Sequence, residues 1–452
     1  MELAEKVLPG EENQEFALRV YDCFRKWYKH DPRKEGGPRE FWDRLAVELD
    51  CDGTVNGVML IDADIDRFIE YLPDYRRDRA RELLAHIRSN GKLEALVVAP
   101  IPPVPGETAR AHLSDAASLI WLRQEGQVET IATGLRAGKI DQKHYYLDPD
   151  AARAWSKLVN ADAYPTYDHC KRALQVLFDS EPWKELVKST GPKSAVMLAG
   201  GGAPTKDLLL MRSLLAETDS TEPLYYYLLD ISFYMLTDSR SWILDHWRTV
   251  EGFERVRLQL VYHDVLKMTG LDRAIFHERG NAVFAITGGT IGNFSEVTFF
   301  RSLDRAAEDG DLLIISADTI DGVPSHDVEK TLTHKYNNSD LRRFIEPVVR
   351  AVVSESHAGE SVPTALNRIE VRLQPGPETQ SSDVPSSWSV NVKLKIDRGD
   401  VILVTSTRYQ SSELIKYAAQ FGWQAVHQVA SPLNPNFKQF LFRRNKPENR
   451  GI

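Results

Sequence analysis

At 452 residues the chain is roughly two to three times a typical domain length, which leaves room for a large core and for two or three structural units. Its 65 acidic against 56 basic side chains, a formal net charge of −9, offer no positive field for a polyanion, so nucleic acid is not an expected partner. Three widely spaced cysteines, Cys23, Cys51 and Cys170, suggest neither a disulfide framework nor a zinc site and fit a reducing, cytoplasmic setting.

The opening residues carry acids where an export signal needs a basic flank, and no run approaches the roughly 18 apolar residues of a membrane helix. A non-exported protein with no membrane partner is expected. Over residues 1–150 apolar side chains recur at helical spacing, as in Phe16, Val20, Phe24 and Trp27, or Ile65, Phe68, Ile69 and Leu72. This region is read as a mainly helical module for homodimerisation or lid formation. The proline-rich segment 99–106 interrupts it as a loop.

From Ser194 the texture changes to short apolar runs alternating with helical patterns, which predicts a parallel sheet with helices on both faces. Strands are expected at 194–198, 224–229, 257–261, 282–287 and 312–316. The first runs into Ala199-Gly200-Gly201-Gly202-Ala203-Pro204-Thr205-Lys206-Asp207. Glycines there let the backbone turn tightly against a nucleoside or dinucleotide cofactor, or simply make a turn; a phosphate loop fits less well, because the Gly-Lys-Ser/Thr ending is missing. Asp230 ends the second strand, where a carboxylate can hold vicinal ribose hydroxyls or cap a helix. Asp264 follows the third, placed to bind an adenine amino group with Val265 over the ring, or to be an exposed loop acid. After the fourth strand comes Thr287-Gly288-Gly289-Thr290-Ile291-Gly292-Asn293-Phe294-Ser295. Three glycines at a strand's carboxyl end are costly for an ordinary turn, and Asn293 offers donor and acceptor together for an amino acid's ammonium and carboxylate. Its other reading is a cap for the helix beginning near Ser295.

Beyond about Asp321 a helical pattern over 341–353 precedes a polar stretch, 374–387, read as a loop with scope for motion. Two strand-like segments, 389–396 and 401–406, a helix over 412–421 and a strand over 437–442 complete the chain. The units are therefore 1–150, a cofactor-binding core 151–330, an inserted substrate-recognition domain 331–407, and closing core elements 408–452.

Together these segments resemble the histidine-specific, S-adenosylmethionine (SAM)-dependent methyltransferase family, over roughly Ala163 to Phe442. The most specific match is Thr290-Ile291-Gly292-Asn293 at the end of the fourth strand, beside Gly200, Gly202 and Lys206, then Asp230, then Asp264 with Val265. The resemblance implies an α/β fold: a Rossmann-like methyltransferase core with an inserted α+β domain, SAM as cofactor, no metal, and an amino-acid-like small-molecule substrate. It also implies that Tyr164, in Ala163-Tyr164-Pro165-Thr166, and Tyr336 contact substrate, with Tyr164 and Asn293 as the catalytic pair. Both tyrosines are also open to a packing role. The family's Glu-x-Ser pair, which recognises imidazole, reads Val404-Thr405-Ser406 here. Ser406 remains for substrate, but imidazole loses its charged partner, which counts against histidine itself. The expected activity is SAM-dependent N-methylation of a free amino acid or derivative, with the arginine guanidino group and aromatic amino acids as candidates. A non-catalytic SAM-binding regulator and a protein methyltransferase are the competing readings.

Overall fold

A computed structural model describes residues 97–100, 118–121, 131–146, 149–159, 165–200, 204–218, 222–268, 280–337, 339–356, 361–396 and 399–445. Twelve strands fall in these segments: β1 Val97–Pro100, β2 Ser118–Trp121, β3 Ser194–Leu198, β4 Leu224–Asp230, β5 Val256–Tyr262, β6 Ala282–Ile286, β7 Leu312–Asp318, β8 Ile369–Pro375, β9 Trp388–Ile396, β10 Gly399–Arg408, β11 Trp423–Ser431 and β12 Asn434–Arg444.

Nine strands make one sheet in the order β1-β2-β5-β4-β3-β6-β7-β12-β11. Every neighbouring pair from β2 to β7 is parallel, and the β11–β12 hairpin joins β7 antiparallel. The composition explains this arrangement. Each residue of β3 and β6 is buried, as in a central strand covered by helices on both faces, where the apolar run need not alternate. Buried Val, Leu, Ile and Phe side chains of β3, β6, β7 and β12 form one continuous core, each worth about 1.5–3 kcal/mol of transfer free energy.

Counted from Ser194, the parallel strands lie third, second, first, fourth, fifth, which is the Rossmann-like order. The chain winds one way from β3 to β5 and the other way from β6 to β7. The reversal lies between β3 and β6, and a ligand crevice opens at the carboxyl ends of such a pair.

A second, three-stranded antiparallel sheet, ordered β10-β9-β8, carries the inserted region. Its core includes Val390, Val392, Leu394, Leu403 and Val404, together with Phe344, Ile345 and Val349 of helix Ser339–Ser356. Ile140, Tyr145, Ala151 and Leu158 belong to this same core, so the helices over 131–159 pack on the inserted sheet. The mainly helical expectation for 1–150 leaves out β1 and β2, which extend the main sheet beside β5. Four-residue apolar runs carry too little periodicity to separate strand from helix. Residues 1–96 lie outside the described residues.

The polar stretch 374–387 differs from a loop free to move. Ser381, Ser382, Val384 and Ser387 are buried, and the Ser382 hydroxyl (2.7 Å) and Asp383 amide (2.9 Å) both donate to Glu296. Asp383 in turn accepts from the Ser295 hydroxyl and the Val297 amide. Serine-rich composition reads as solvated, yet here the hydroxyls satisfy a buried carboxylate. Among the described residues no helix is long and apolar enough to cross a membrane.

Candidate functional site

At the end of β3 the backbone turns sharply. Ala199 has φ 49°, a left-handed conformation that costs a non-glycine residue about 1–2 kcal/mol. Gly200 follows where a β-carbon would stand 2.5 Å from Leu228 Cδ1 and 2.6 Å from Met197 Cγ, so a larger residue would have to displace those side chains. Gly202 lies outside the described residues. Helix Thr205–Glu217 then starts, and its first turn buries Lys206 at 4% exposure. The ammonium lies 5.5 Å from the centroid of the Tyr167 ring, and among the described residues no carboxylate lies within ion-pair distance of it.

Asp207, next to it, is fully buried, and Tyr226 donates to its Oδ1 at 2.7 Å. Burial pushes Asp207 up to about 7, against the lowering pull of the Lys206 charge and the Tyr226 hydrogen bond. Between the ordinary carboxyl range and about pH 7 the folded chain therefore holds a proton that the unfolded chain releases. This contribution to stability is complete below about pH 4 and is lost as pH rises through the folded value. Asp207→Asn, fixed in the neutral form, is expected to raise Tm by several degrees at about pH 8 and to change it little at about pH 4.5. Equal shifts at the two pH values would contradict a proton held on Asp207.

Asp230 ends β4 at 6% exposure, and its Oδ1 accepts from the Ser232 amide at 2.8 Å. The helix that follows, Phe233–His246, is capped by Ser232 and not by Asp230. Asp264 does act as a cap: its Oδ1 accepts from the Leu266 amide at 2.9 Å at the start of a short 3-10 turn, with Val265 buried beside it.

After β6, Gly288 and Gly289 take φ values of 75° and 79°, and Thr290–Asn293 forms a single 3-10 turn. A β-carbon on Gly292 would stand 2.6 Å from the carbonyl oxygen and 2.8 Å from the amide nitrogen of Thr407. The turn is thus pressed against the backbone of β10. Tyr409 anchors it from the same side, its hydroxyl bonding the Ile291 carbonyl (3.2 Å) and Glu296 (2.7 Å). The helix after the turn is capped by Ser295, whose hydroxyl accepts from the Thr298 amide, which leaves the Asn293 amide to the cleft. Because the opposing atoms are backbone, Gly292→Ala is expected to cost about 1–3 kcal/mol and to lower Tm. An unchanged Tm would mean that the turn can retreat from β10.

These turns open on one cleft, enclosing about 910 Å³ with its mouth included. Lys206, Asp230, Asp264, Val265 and Asn293 all line it, with Ala199 and Gly288 on its floor. Five of the residues singled out from sequence are therefore brought together, and Gly200 follows directly on the lining residue Ala199. Tyr164 lies outside the described residues. Tyr336 and Ser406 are not among the lining residues: the Tyr336 hydroxyl bonds Ser406 Oγ at 2.8 Å and accepts from Arg408 at 3.0 Å. Burial raises the Tyr336 phenol, but the Arg408 and Lys335 charges and these hydrogen bonds outweigh it and hold the group below its ordinary value. The Tyr336 phenol is near enough to act electrostatically on Tyr146, which does line the cleft. Burial chiefly, then the neighbouring Asp230 carboxylate and the Tyr336 phenol, push Tyr146 far up.

Apart from Thr166, which belongs to the Tyr-Pro-Thr segment, the wall facing the strand ends carries no signal in sequence. It is made by Asp141, Gln142, Tyr146, Trp155, Thr166 and Tyr167.

Chemically, the sheet side of this cleft suits a nucleoside with an amino-acid tail. It presents a buried cation for a carboxylate, an acid at a strand end for a diol, a second acid beside an apolar side chain for an aminated aromatic ring, and a turn with no room for a β-carbon.

A family model described as histidine-specific, SAM-dependent methyltransferase matches residues 128–444. No curated protein matches the sequence. Similar solved structures include the DhpI–SAH complex (13% identity, TM-score 0.34, 71% of this chain and 100% of that one). Another is the sugar N-methyltransferase KedS8 from Streptoalloteichus sp ATCC 53650 (13%, 0.30, 61% and 87%). The magnesium protoporphyrin IX methyltransferase ChlM from Synechocystis PCC 6803 with bound SAH is also similar (7%, 0.34, 67% and 98%). The fold assignment rests on the sheet order and the family match rather than on these distant likenesses.

Proposed function

Because this chain belongs to the histidine-specific, SAM-dependent methyltransferase family, we propose that it transfers the methyl group of SAM to a nitrogen of a free amino acid, or of a small molecule derived from one, other than histidine. The observation that carries this reading is the single cleft in which Lys206, Asp230, Asp264 and Val265 meet Asn293. In this reading Lys206 pairs with the carboxylate of the methionine tail, Asp230 holds the ribose hydroxyls, Asp264 takes the adenine amino group and Val265 covers the ring. Gly200, and Gly202 after it, let the backbone come close to the tail. Asn293 and Tyr164 hold the ammonium and carboxylate of the substrate, while Tyr336 and Ser406 bond each other outside the lining.

SAM supplies an electrophilic methyl on a sulfonium, so what remains for the chain is to align a neutral nitrogen in line with it and to exclude water. The Tyr146, Trp155 and Tyr167 rings in the lining suit that task. Against histidine stands Val404, 5% exposed within the apolar core of the inserted sheet: that position offers no acid to an imidazole.

The test is mass-spectrometric detection of methylated product from a panel of free amino acids incubated with the full chain and SAM. A methylated product from a member other than histidine is expected. A chain that binds SAM by calorimetry yet methylates no member would remove the amino-acid reading, and preferential methylation of histidine would remove the exclusion.

A further inference from the structure

β10 is an edge strand of the inserted sheet, and its outer edge is covered by the segment 138–145. The Ile402 amide donates to Gly138 O at 2.8 Å and the Ile140 amide to Ile402 O at 2.9 Å. The register of β10 on β9 shifts between Ile402 and Val404, a bulge that takes the Leu403 carbonyl out of the ladder, and the Tyr145 hydroxyl donates to that carbonyl at 2.7 Å. Gln142 Nε2 donates to Thr405 O at 2.5 Å. A covered edge needs no more than this to be protected from further pairing, but the strap has a second result. Asp141 sits between two residues that are both tied to β10, and it lines the cleft.

Among the described residues three carboxylates line the cleft: Asp230 at the end of β4, Asp264 just after β5, and Asp141 from the strap. Tyr146 and Trp155 line the same cleft. Their rings meet edge to face at 5.6 Å, and Phe344 packs on both from behind, at 5.4 and 5.1 Å. A carboxylate that shares a cleft with aromatic rings fixed by packing has the chemistry of a cation site, because both the charge and the ring faces attract a positive group.

Resting on the amino-acid methyltransferase reading above, we infer that Asp141, with the Tyr146 and Trp155 rings, forms the subsite for a positively charged side chain of the substrate, a guanidinium or an alkyl ammonium. The acid that recognises the substrate's side chain thus comes from the strap along β10 and not from β10 itself, where position 404 is apolar.

The experiment compares matched pairs on the full chain with SAM, arginine against citrulline and lysine against Nε-acetyl-lysine, for wild type, D141N and D141E. The charged member of one pair is expected to exceed its neutral partner in kcat/KM by roughly 100-fold, and which pair responds separates guanidinium from ammonium. D141N should shrink that ratio to within about threefold, chiefly through KM, while D141E restores part of it and SAM affinity by calorimetry stays unchanged. Neutral members used as well as charged ones by the wild type would overturn the proposal without any variant, so a D141N chain that fails to fold leaves the test intact. A ratio that survives in D141N would overturn it too. Methylation of an aromatic amino acid in place of both pairs, unaffected by D141N, removes the role of Asp141 and leaves the methyltransferase reading standing. Methylation of no amino acid at all removes both.

Discussion

Asp230→Ala is expected to weaken SAM binding by about 100- to 1,000-fold. Two ribose hydroxyls donating to one carboxylate make charge-assisted hydrogen bonds of about 1.5–3 kcal/mol each, and water entering the space offsets part of the loss. About 2.7–4 kcal/mol remains, at 1.4 kcal/mol per factor of ten. The carboxylate also accepts the Ser232 amide at 2.8 Å, so a fall in stability of about 1 kcal/mol should accompany the loss. The helix should still start normally, because Ser232 is its cap. Asp230→Asn keeps an acceptor oxygen and should fall between wild type and Ala. Calorimetry with SAM, alongside thermal melting, measures both effects; unchanged affinity in a folded Ala variant would remove Asp230 from the cofactor site.

Asn293→Ala is expected to leave SAM affinity within about threefold and to lower kcat/KM by about 100-fold, the loss of roughly two polar contacts to a charged substrate. The turn bearing Asn293 is fixed independently of its side chain, by the contact of Gly292 with Thr407 and by the Tyr409 hydroxyl on Ile291. Truncation at Asn293 should therefore spare the backbone and isolate the amide. Steady-state kinetics on whichever amino acid the panel identifies gives the answer. A variant whose kcat/KM stays near the wild-type value would show that the amide does not touch substrate.

The five core strands from Ser194 to Asp318 are legible in sequence because strands buried on both faces are written as continuous apolar runs between Gly- and Asp-bearing turns. The β11 strand is not, since it lies at a sheet edge with most of its residues partly or fully exposed, and its mixed composition carries no strand period. The same reasoning separates the two walls of the cleft. The sheet side could be read because each functional residue stands at or shortly after a strand's carboxyl end: Lys206 after β3, Asp230 at the end of β4, Asp264 after β5, Asn293 after β6. The facing wall could not, because Asp141, Tyr146 and Trp155 enter the cleft only through long-range contacts with β10 and Phe344. Glu296 shows the limit in another way. Its position in the first turn of a helix reads as a surface acid complementing the helix dipole, whereas it is fully buried and tied to Tyr409 and Ser382, a pairing across about 100 residues that no local pattern encodes.

A crystal structure of the full chain with S-adenosylhomocysteine bears most directly on the placement of the cofactor. The expected density lies between the turns at Gly200 and Gly292, with the ribose hydroxyls within hydrogen-bond reach of Asp230 and the tail carboxylate at Lys206. Density for the nucleoside elsewhere, or an adenosine lying along the Asp141–Trp155 wall with the strand ends empty, would contradict the account.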